Sequence, residues 1–254
     1  MRTTAAILIF LVTAALGLAQ SPQSAQSGGP EVIVDRAASD IFPESWLTAI
    51  INAKAEPLSK EEQQRSREIA DKALAKYPAA VLGRNLKKLY MVRRLEYSGV
   101  AAGGSNSKSD VYVAGNGKFS PEDIEKNVHA EFSSILLRNF PNHLDQAAWQ
   151  KINPADFSYR GTGVQAIRNK QASLSLSDAL HEEGFLNEYA KASIEEDFNS
   201  YAARLFMGHA ALWRAIEKYP KVKAKADLTI AFYGQMDASF TKEFFLSLRQ
   251  TETK

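Results

Sequence analysis

The hydrophobic pattern of the chain changes at Ser120, and this change limits the folds that are open to it. Before Ser120, two short segments rich in β-branched and aromatic residues, 86–97 and Asp110–Ala114, predict strands. After Ser120, the spacing of apolar residues is mainly helical. Helices gathered on one side of a small sheet form an α+β domain. We therefore expect an α+β fold that is mainly helical, with a small sheet.

The helix predicted after Ser120 carries a carboxylate at the edge of its apolar face. Ser120 has the position of the capping residue, and Pro121 that of the first helical residue. Glu131 lies beside an arc of apolar side chains, which comprises Ile124, Val128, Phe132, Ile135 and Leu136. Burying a charge is costly unless it is paired or neutralised. We expect Glu131 to have a basic partner, a nearby metal or a raised pKa, unless its carboxylate simply reaches water.

The segment around this carboxylate, VHAEFSSILLRNFP (128–141), resembles the active-site helix of a bacterial family of extracytoplasmic putative zinc-binding metallopeptidases, the substrate-import-associated zinc metallohydrolase type. In the HExxH signature of that family, two histidines on one helix face bind zinc and the glutamate serves as general base. Aligned on Glu131, the ligand positions are Ala130 and Ser134, so AEFSS stands in place of HExxH. Alanine has no donor atom, and a neutral serine hydroxyl is a poor zinc ligand.

A second segment, GFLNEYAKASIEEDFNSYAARLF (184–206), resembles another part of the same family. The resemblance implies that Glu196 corresponds to the third zinc ligand of a gluzincin, and that Ser200 stands where the family has a second glutamate. The local pattern gives Glu196 another role, because Ser193 and Glu196 have the spacing of a capping box with a solvated glutamate. The resemblance implies a single zincin-like domain over residues 31–254, with a degenerate zinc site.

His129 and His181 are the histidines that we consider as alternative metal ligands. Neither has a second ligand at metal-binding spacing, although His181 begins a polar patch with two glutamates. A rearranged site of His129, His181 and Glu196 is conceivable. No cofactor is expected for a binding domain, whereas an active peptidase would require zinc.

Small or polar side chains surround Glu131 on its helix. Asn127, Ala130 and Ser134 fall beside it, and we expect them to line a shallow cavity at the former metal position, with Ser200 contributed by the second segment. The segment SGVAAGGSNSKSD (98–110) has the composition of a mobile loop. It is either a flap over this cavity or a loose connection.

The first 19 residues have the arginine, the apolar run and the small residues of a cleaved secretory signal peptide. Residues 20–30, QSPQSAQSGGP, have the composition of a disordered linker. The chain contains no cysteine, which excludes disulfides and thiol chemistry. We expect an exported protein, periplasmic or extracellular, that does not insert into the membrane after signal cleavage. Its nearly balanced charge argues against a nucleic-acid partner.

Three functions are compatible with these features. The first expectation is a non-catalytic metallopeptidase-like domain that binds a peptide, a glycan or an envelope protein in the former active-site cleft, with Glu131 as a vestigial base and Glu196 as a remnant ligand. The second is an active zinc-dependent peptidase or hydrolase with an atypical metal site, in which Glu131 acts as general base. The third is a structural protein of the cell envelope.

Overall fold

The computed structural model of the chain describes residues 29–250 of 254. The predicted signal peptide and the predicted linker up to residue 28 lie outside the described residues. The strands are β1 (Glu31–Ile33), β2 (Lys54–Glu56), β3 (Lys88–Val92), β4 (Arg94–Tyr97), β5 (Val100–Ala102), β6 (Gly104–Asn106) and β7 (Asp110–Ala114). The helices are α1 (Lys60–Leu74), α2 (Ala79–Asn85), α3 (Pro121–Asn139), α4 (Gln146–Ile152), α5 (Gly163–Arg168), α6 (Asp178–Glu183), α7 (Ile194–Phe206), α8 (Ala210–Lys218), α9 (Pro220–Gly234) and α10 (Lys242–Ser247). This content agrees with the expected α+β class.

The strands form two small sheets. The larger sheet has the order β1-β3-β7-β6, in which β1, β3 and β7 are parallel and β6 is an antiparallel edge strand. In its register Lys88 pairs with Asp110, and Gly104 pairs with Val113. The smaller sheet is antiparallel, with the order β2-β4-β5. The edge strand β6 packs against α3 and lies beside Glu131.

Two predictions about the strands are wrong. Residues 86–97 form two strands in different sheets rather than one, because the chain changes sheets at Arg93, whose backbone N–H donates to the Glu56 carbonyl at 2.7 Å. Residues 98–110 contain β5 and β6 rather than a loop. Strands rich in glycine, serine and alanine have little strand propensity of their own, so pairing with β4 and β7 determines their conformation.

Helices α3 and α7 pack together in antiparallel orientation at the centre of the molecule. Arg138 near the end of α3 pairs with Glu195 at the start of α7. At the other end, Lys76 bridges the Glu125 carboxylate of α3 and the Phe206 carbonyl of α7. The predicted apolar arc of α3 is fully buried: Ile124, Val128, Phe132, Ile135 and Leu136. The Ser120 hydroxyl caps α3 by accepting a hydrogen bond from the Asp123 N–H at 3.0 Å, as the sequence predicts.

A buried ion pair connects α7 to α9. The Lys225 ammonium lies 2.6 Å from Asp197 Oδ2, and both side chains are fully buried. Trp149 Nε1 and the Tyr159 hydroxyl donate to the same carboxylate oxygen, at 2.9 and 2.8 Å. The ammonium also lies 4.1 Å from the centre of the Phe185 ring. A buried charge is tolerable only with such partners, so the removal of one partner is costly.

We expect Lys225→Met to lower the free energy of unfolding by about 3–5 kcal/mol, because Asp197 would remain buried without its cation. The matched control is Lys223→Met on the same helix, whose ion pair with Asp227 is exposed and should contribute less than about 1 kcal/mol. Urea denaturation of the two variants tests this. Equal losses of stability would contradict it.

Candidate functional site

A cleft of about 860 Å³ opens between the edge strand β6, helix α3, the start of α5 and helix α7. Six residues that the sequence analysis singled out all line it: Asn127, Ala130, Glu131, Ser134, Glu196 and Ser200. Helical spacing explains this arrangement, since residues three or four positions apart share one face of a helix. Asn106, Tyr189, Asn199 and Arg204 also line the cleft and were not identified from the sequence.

The Glu131 carboxylate lies half-buried in the cleft without a basic partner among the described residues. Its Oε2 atom accepts a hydrogen bond of 2.6 Å from Asn106 Nδ2. Burial raises the pKa of Glu131 to about 7, with the Glu195 charge acting in the same direction, while Asn106 and Arg138 oppose the shift. Of the outcomes that we considered for this carboxylate, the raised pKa is the one found.

The predicted capping box at Glu196 is wrong. The Ser193 hydroxyl does accept a hydrogen bond from the Glu196 N–H, at 3.1 Å. The Glu196 carboxylate, however, makes no return bond to Ser193 and instead accepts one from the Tyr189 hydroxyl at 2.9 Å. Burial raises the pKa of Glu196 to about 8, and the nearby charge of Glu131 adds to this shift. Glu196 therefore lies half-buried in the cleft instead of being solvated at the helix end.

Glycine backbone packs directly against both carboxylates. A Cβ atom at Gly104 would lie 2.6 Å from Glu131 Oε1, which is closer than such atoms approach. A Cβ atom at Gly163 would overlap the Glu196 carboxylate and the Tyr189 hydroxyl. Only glycine leaves these side chains in place, so the glycines at 104 and 163 shape the walls of the cleft.

Polar side chains of α3 and α7 beside the cleft are joined by hydrogen bonds. Asn199 Nδ2 donates to the Ser134 hydroxyl at 2.7 Å, and the Ser133 hydroxyl lies 2.6 Å from Asn199 Oδ1. On the same side of α7, the Ser200 hydroxyl donates to the Glu196 carbonyl at 2.9 Å and accepts from Asn187 Nδ2 at 3.3 Å. These polar side chains satisfy one another within the protein.

This donor set does not fit zinc. Ala130 offers no donor atom, and the neutral Ser134 hydroxyl is engaged with Asn199. Of the three positions that the resemblance assigns to ligands, only Glu196 has a carboxylate, whereas a structural or catalytic zinc site needs at least three protein ligands. Within residues 29–250, no group of three or more histidine, cysteine, aspartate or glutamate side chains is arranged to hold a metal ion.

The conceivable metal site of His129, His181 and Glu196 does not form. His129 follows the opposite face of α3, because two positions along a helix turn a side chain about 200° away from Glu131. It is fully buried, with Nδ1 2.8 Å from the Tyr77 hydroxyl, and burial lowers its pKa to about 4. His181 is buried beside Tyr219, with ring centres 5.3 Å apart. Neither histidine lines the cleft.

Arg204 supplies a buried cation toward the other end of the cleft. Its side chain is only 5% exposed, and its guanidinium donates to the carbonyls of Ser200 and Leu174, at 3.1 and 3.0 Å. Burial lowers the pKa of Arg204 to about 10, so the group stays charged at neutral pH. Among the described residues, no carboxylate forms an ion pair with it.

Comparisons of the chain with models of protein families, with curated proteins and with solved structures gave no match. The resemblance to zinc metallopeptidases therefore stays a prediction. Within the described range, no helix has the length and apolar character needed to cross a bilayer. Function has to be inferred from the chemistry of the cleft.

The raised pKa values predict a pH dependence of stability. Folded Glu131 and Glu196 hold protons up to about pH 7 and about pH 8, whereas an unfolded glutamate releases its proton near 4.5. Their contribution to stability is therefore complete below pH 4.5 and is lost as the pH rises through 7 and 8. We expect the Glu131→Gln, Glu196→Gln double variant to lose less stability than the parent as the pH rises from 4.5 to 8.

Thermal denaturation across this pH range measures the effect. Glu122→Gln, an exposed change on the same helix, is the matched control and should keep the pH dependence of the parent. Identical pH profiles for the parent and the double variant would show that the two carboxyl groups titrate normally in the folded protein.

Proposed function

We propose that the chain is an exported, zincin-like domain that binds a peptide in its cleft and does not hydrolyse it. The observation that carries this proposal is the hydrogen-bonded set of Ser133, Ser134 and Asn199, in which Ser134 has the position of a zinc ligand in the family that the chain resembles. A cleft of about 860 Å³ remains open beside it. That volume lies within the usual range for ligand sites, about 300–1,000 Å³.

A peptide suits the cleft better than a glycan. Among the described residues, the edge strand β6 pairs with β7 on one side only, and its residues from Gly104 to Asn106 line the cleft. The backbone of an edge strand is a template for an extended chain, which adds to the sheet through main-chain hydrogen bonds. None of the tryptophans of the described residues lines the cleft to offer a sugar a broad stacking surface.

The competing function is an active hydrolase in which Glu131 acts as general base. Its pKa of about 7 suits that role, since an efficient base titrates near the working pH. Against this role stands the set of donor atoms in the cleft, which does not fit the zinc ion that would activate water. A structural envelope protein, the third function, would not depend on the cleft at all.

Zinc content tests whether the domain is zincin-like and lacks a working zinc site. We expect the purified parent protein to contain substoichiometric zinc by elemental analysis. The Ala130→His, Ser134→His variant should bind one zinc if the fold is zincin-like, because Glu196 then completes a three-ligand site. Adding Glu196→Gln to that variant is the control and should reduce its zinc. Stoichiometric zinc in the parent that falls in Glu196→Gln would overturn the non-catalytic reading.

Peptide retention tests whether the cleft binds a peptide. Immobilised protein is incubated with a pool of random peptides of three to eight residues, and the retained peptides are quantified by mass spectrometry. Ala130→Phe fills the cleft and should reduce retention about tenfold or more, which corresponds to a loss of at least about 1.4 kcal/mol of binding free energy. Glu122→Phe, on the exposed face of the same helix, should retain peptides as the parent does.

Two results would contradict the proposal. Equal retention by Ala130→Phe and the parent would place binding outside the cleft. Cleavage of the pool by the parent, lost in Glu131→Gln, would show that the domain is a hydrolase.

A further inference from the structure

The charged residues that line the cleft do not all neutralise one another. They are Asp123, Lys126, Glu131, Arg138, Glu195, Glu196 and Arg204. Lys126 pairs with Asp123 at 2.6 Å, and Arg138 pairs with Glu195 at 3.1 Å. Two carboxylates and one arginine are left without an ion-pair partner in residues 29–250: Glu131, Glu196 and Arg204. Acidic and basic groups without partners in one cleft point to a ligand that carries charges of both signs.

The two groups of α7 without an ion-pair partner, Glu196 and Arg204, lie along one face of the helix with Ser200 between them. Glu196, Ser200 and Arg204 recur every four residues and therefore share a face. Eight residues of α-helix separate the Cα atoms of Glu196 and Arg204 by about 12 Å along the axis, from a rise of about 1.5 Å per residue. The Arg204 guanidinium reaches back to the Ser200 carbonyl, which brings it nearer to the Glu196 end. An extended peptide rises about 3.3 Å per residue, so a peptide of no more than about four residues fits between the two groups. Glu131 lies on the facing helix and adds its carboxylate at the Glu196 end, where its charge raises the pKa of Glu196.

The two ends of this face respond differently to burial. Arg204 keeps its charge and satisfies part of its guanidinium with the carbonyls of Ser200 and Leu174. Glu131 and Glu196 reduce the free-energy cost of burying a charge by holding protons near neutral pH. An arriving ammonium would favour their ionised form, and an arriving carboxylate would supply Arg204 with the bidentate partner that a guanidinium prefers.

We propose that the cleft selects short peptides with two free termini, up to about four residues long, with the α-ammonium between Glu131 and Glu196 and the α-carboxylate at Arg204. This inference rests on the proposed function and adds to it the ligand class and the direction of the bound chain. The peptide would run alongside β6 from the carboxylate end of the cleft to the Arg204 end. Longer peptides and internal segments of proteins would lack one or both terminal charges at the required spacing.

Four peptide pools test the inference with the unmodified full-length domain. Random peptides of three to eight residues are prepared with free termini, with an acetylated N-terminus, with an amidated C-terminus, and with both ends blocked. Native mass spectrometry measures the fraction of protein bound in each pool. We expect the free peptides of up to about four residues to bind best, and either block to weaken binding about tenfold or more, because it removes the ligand charge that would pair with Arg204 or with the two glutamates.

Glu196→Gln separates the two ends of the site. This variant should bind free and acetylated peptides more equally than the parent does, while the penalty for amidation should persist. Glu122→Gln, exposed on α3, is the matched control and should show both penalties. The blocking groups are on the peptide, so the test does not require a substitution of Arg204. Such a substitution would also remove two hydrogen bonds from the guanidinium to backbone carbonyls.

The possible failures are distinguishable. If doubly blocked peptides bind as well as free ones, or if only one terminus matters, the two-ended recognition is wrong while peptide binding stands. If no pool binds in any form, the proposed function fails together with this inference.

Discussion

The packing of α3 against α7 is the constraint on which the site depends. The two helices bury their apolar faces together, and an asparagine of α7 joins two serines of α3 by hydrogen bonds of 2.6 and 2.7 Å. Buried polar groups are stable only when they are satisfied, so this contact fixes the axial position of one helix relative to the other. The fixed position sets Glu131 against Glu196 and leaves Arg204 two turns away. The edge strand β6 then closes one side of the cleft through the glycine contacts of its backbone.

Local signals in the sequence predicted the parts of the site that depend on one helix. The cap at Ser120, the proline after it and the apolar arc specify α3, so the side chains at 127, 130, 131 and 134 could be assigned to one face. The resemblance to a family added Glu196 and Ser200 on a second helix. The fold class followed from the change in hydrophobic pattern at Ser120. These inferences required no knowledge of which elements lie next to each other.

The errors arose where a tertiary neighbour decides the outcome. Ser193 and Glu196 have the spacing of a capping box, but the Tyr189 hydroxyl lies within hydrogen-bonding distance of the carboxylate and takes the place of the cap residue. The segment 98–110 reads as a loop because its residues are small and polar, and it becomes strands because β4 and β7 offer backbone partners. Arg204 gave no local signal, since arginine in a helix is usually exposed; its burial depends on the segment at Leu174, thirty residues earlier.

The uneven satisfaction of polar groups in the cleft is the strongest argument that it has a ligand. The hydroxyls of Ser133, Ser134 and Ser200 all have partners within the protein. The Glu131 and Glu196 carboxylates have neutral donors only, and their raised pKa values show that burial disfavours their charge. A domain that served only as a scaffold would gain stability from apolar side chains of the same size at these two positions. Groups that cost stability in the free protein are explained when a bound molecule supplies their missing partners, which is the general character of a recognition site.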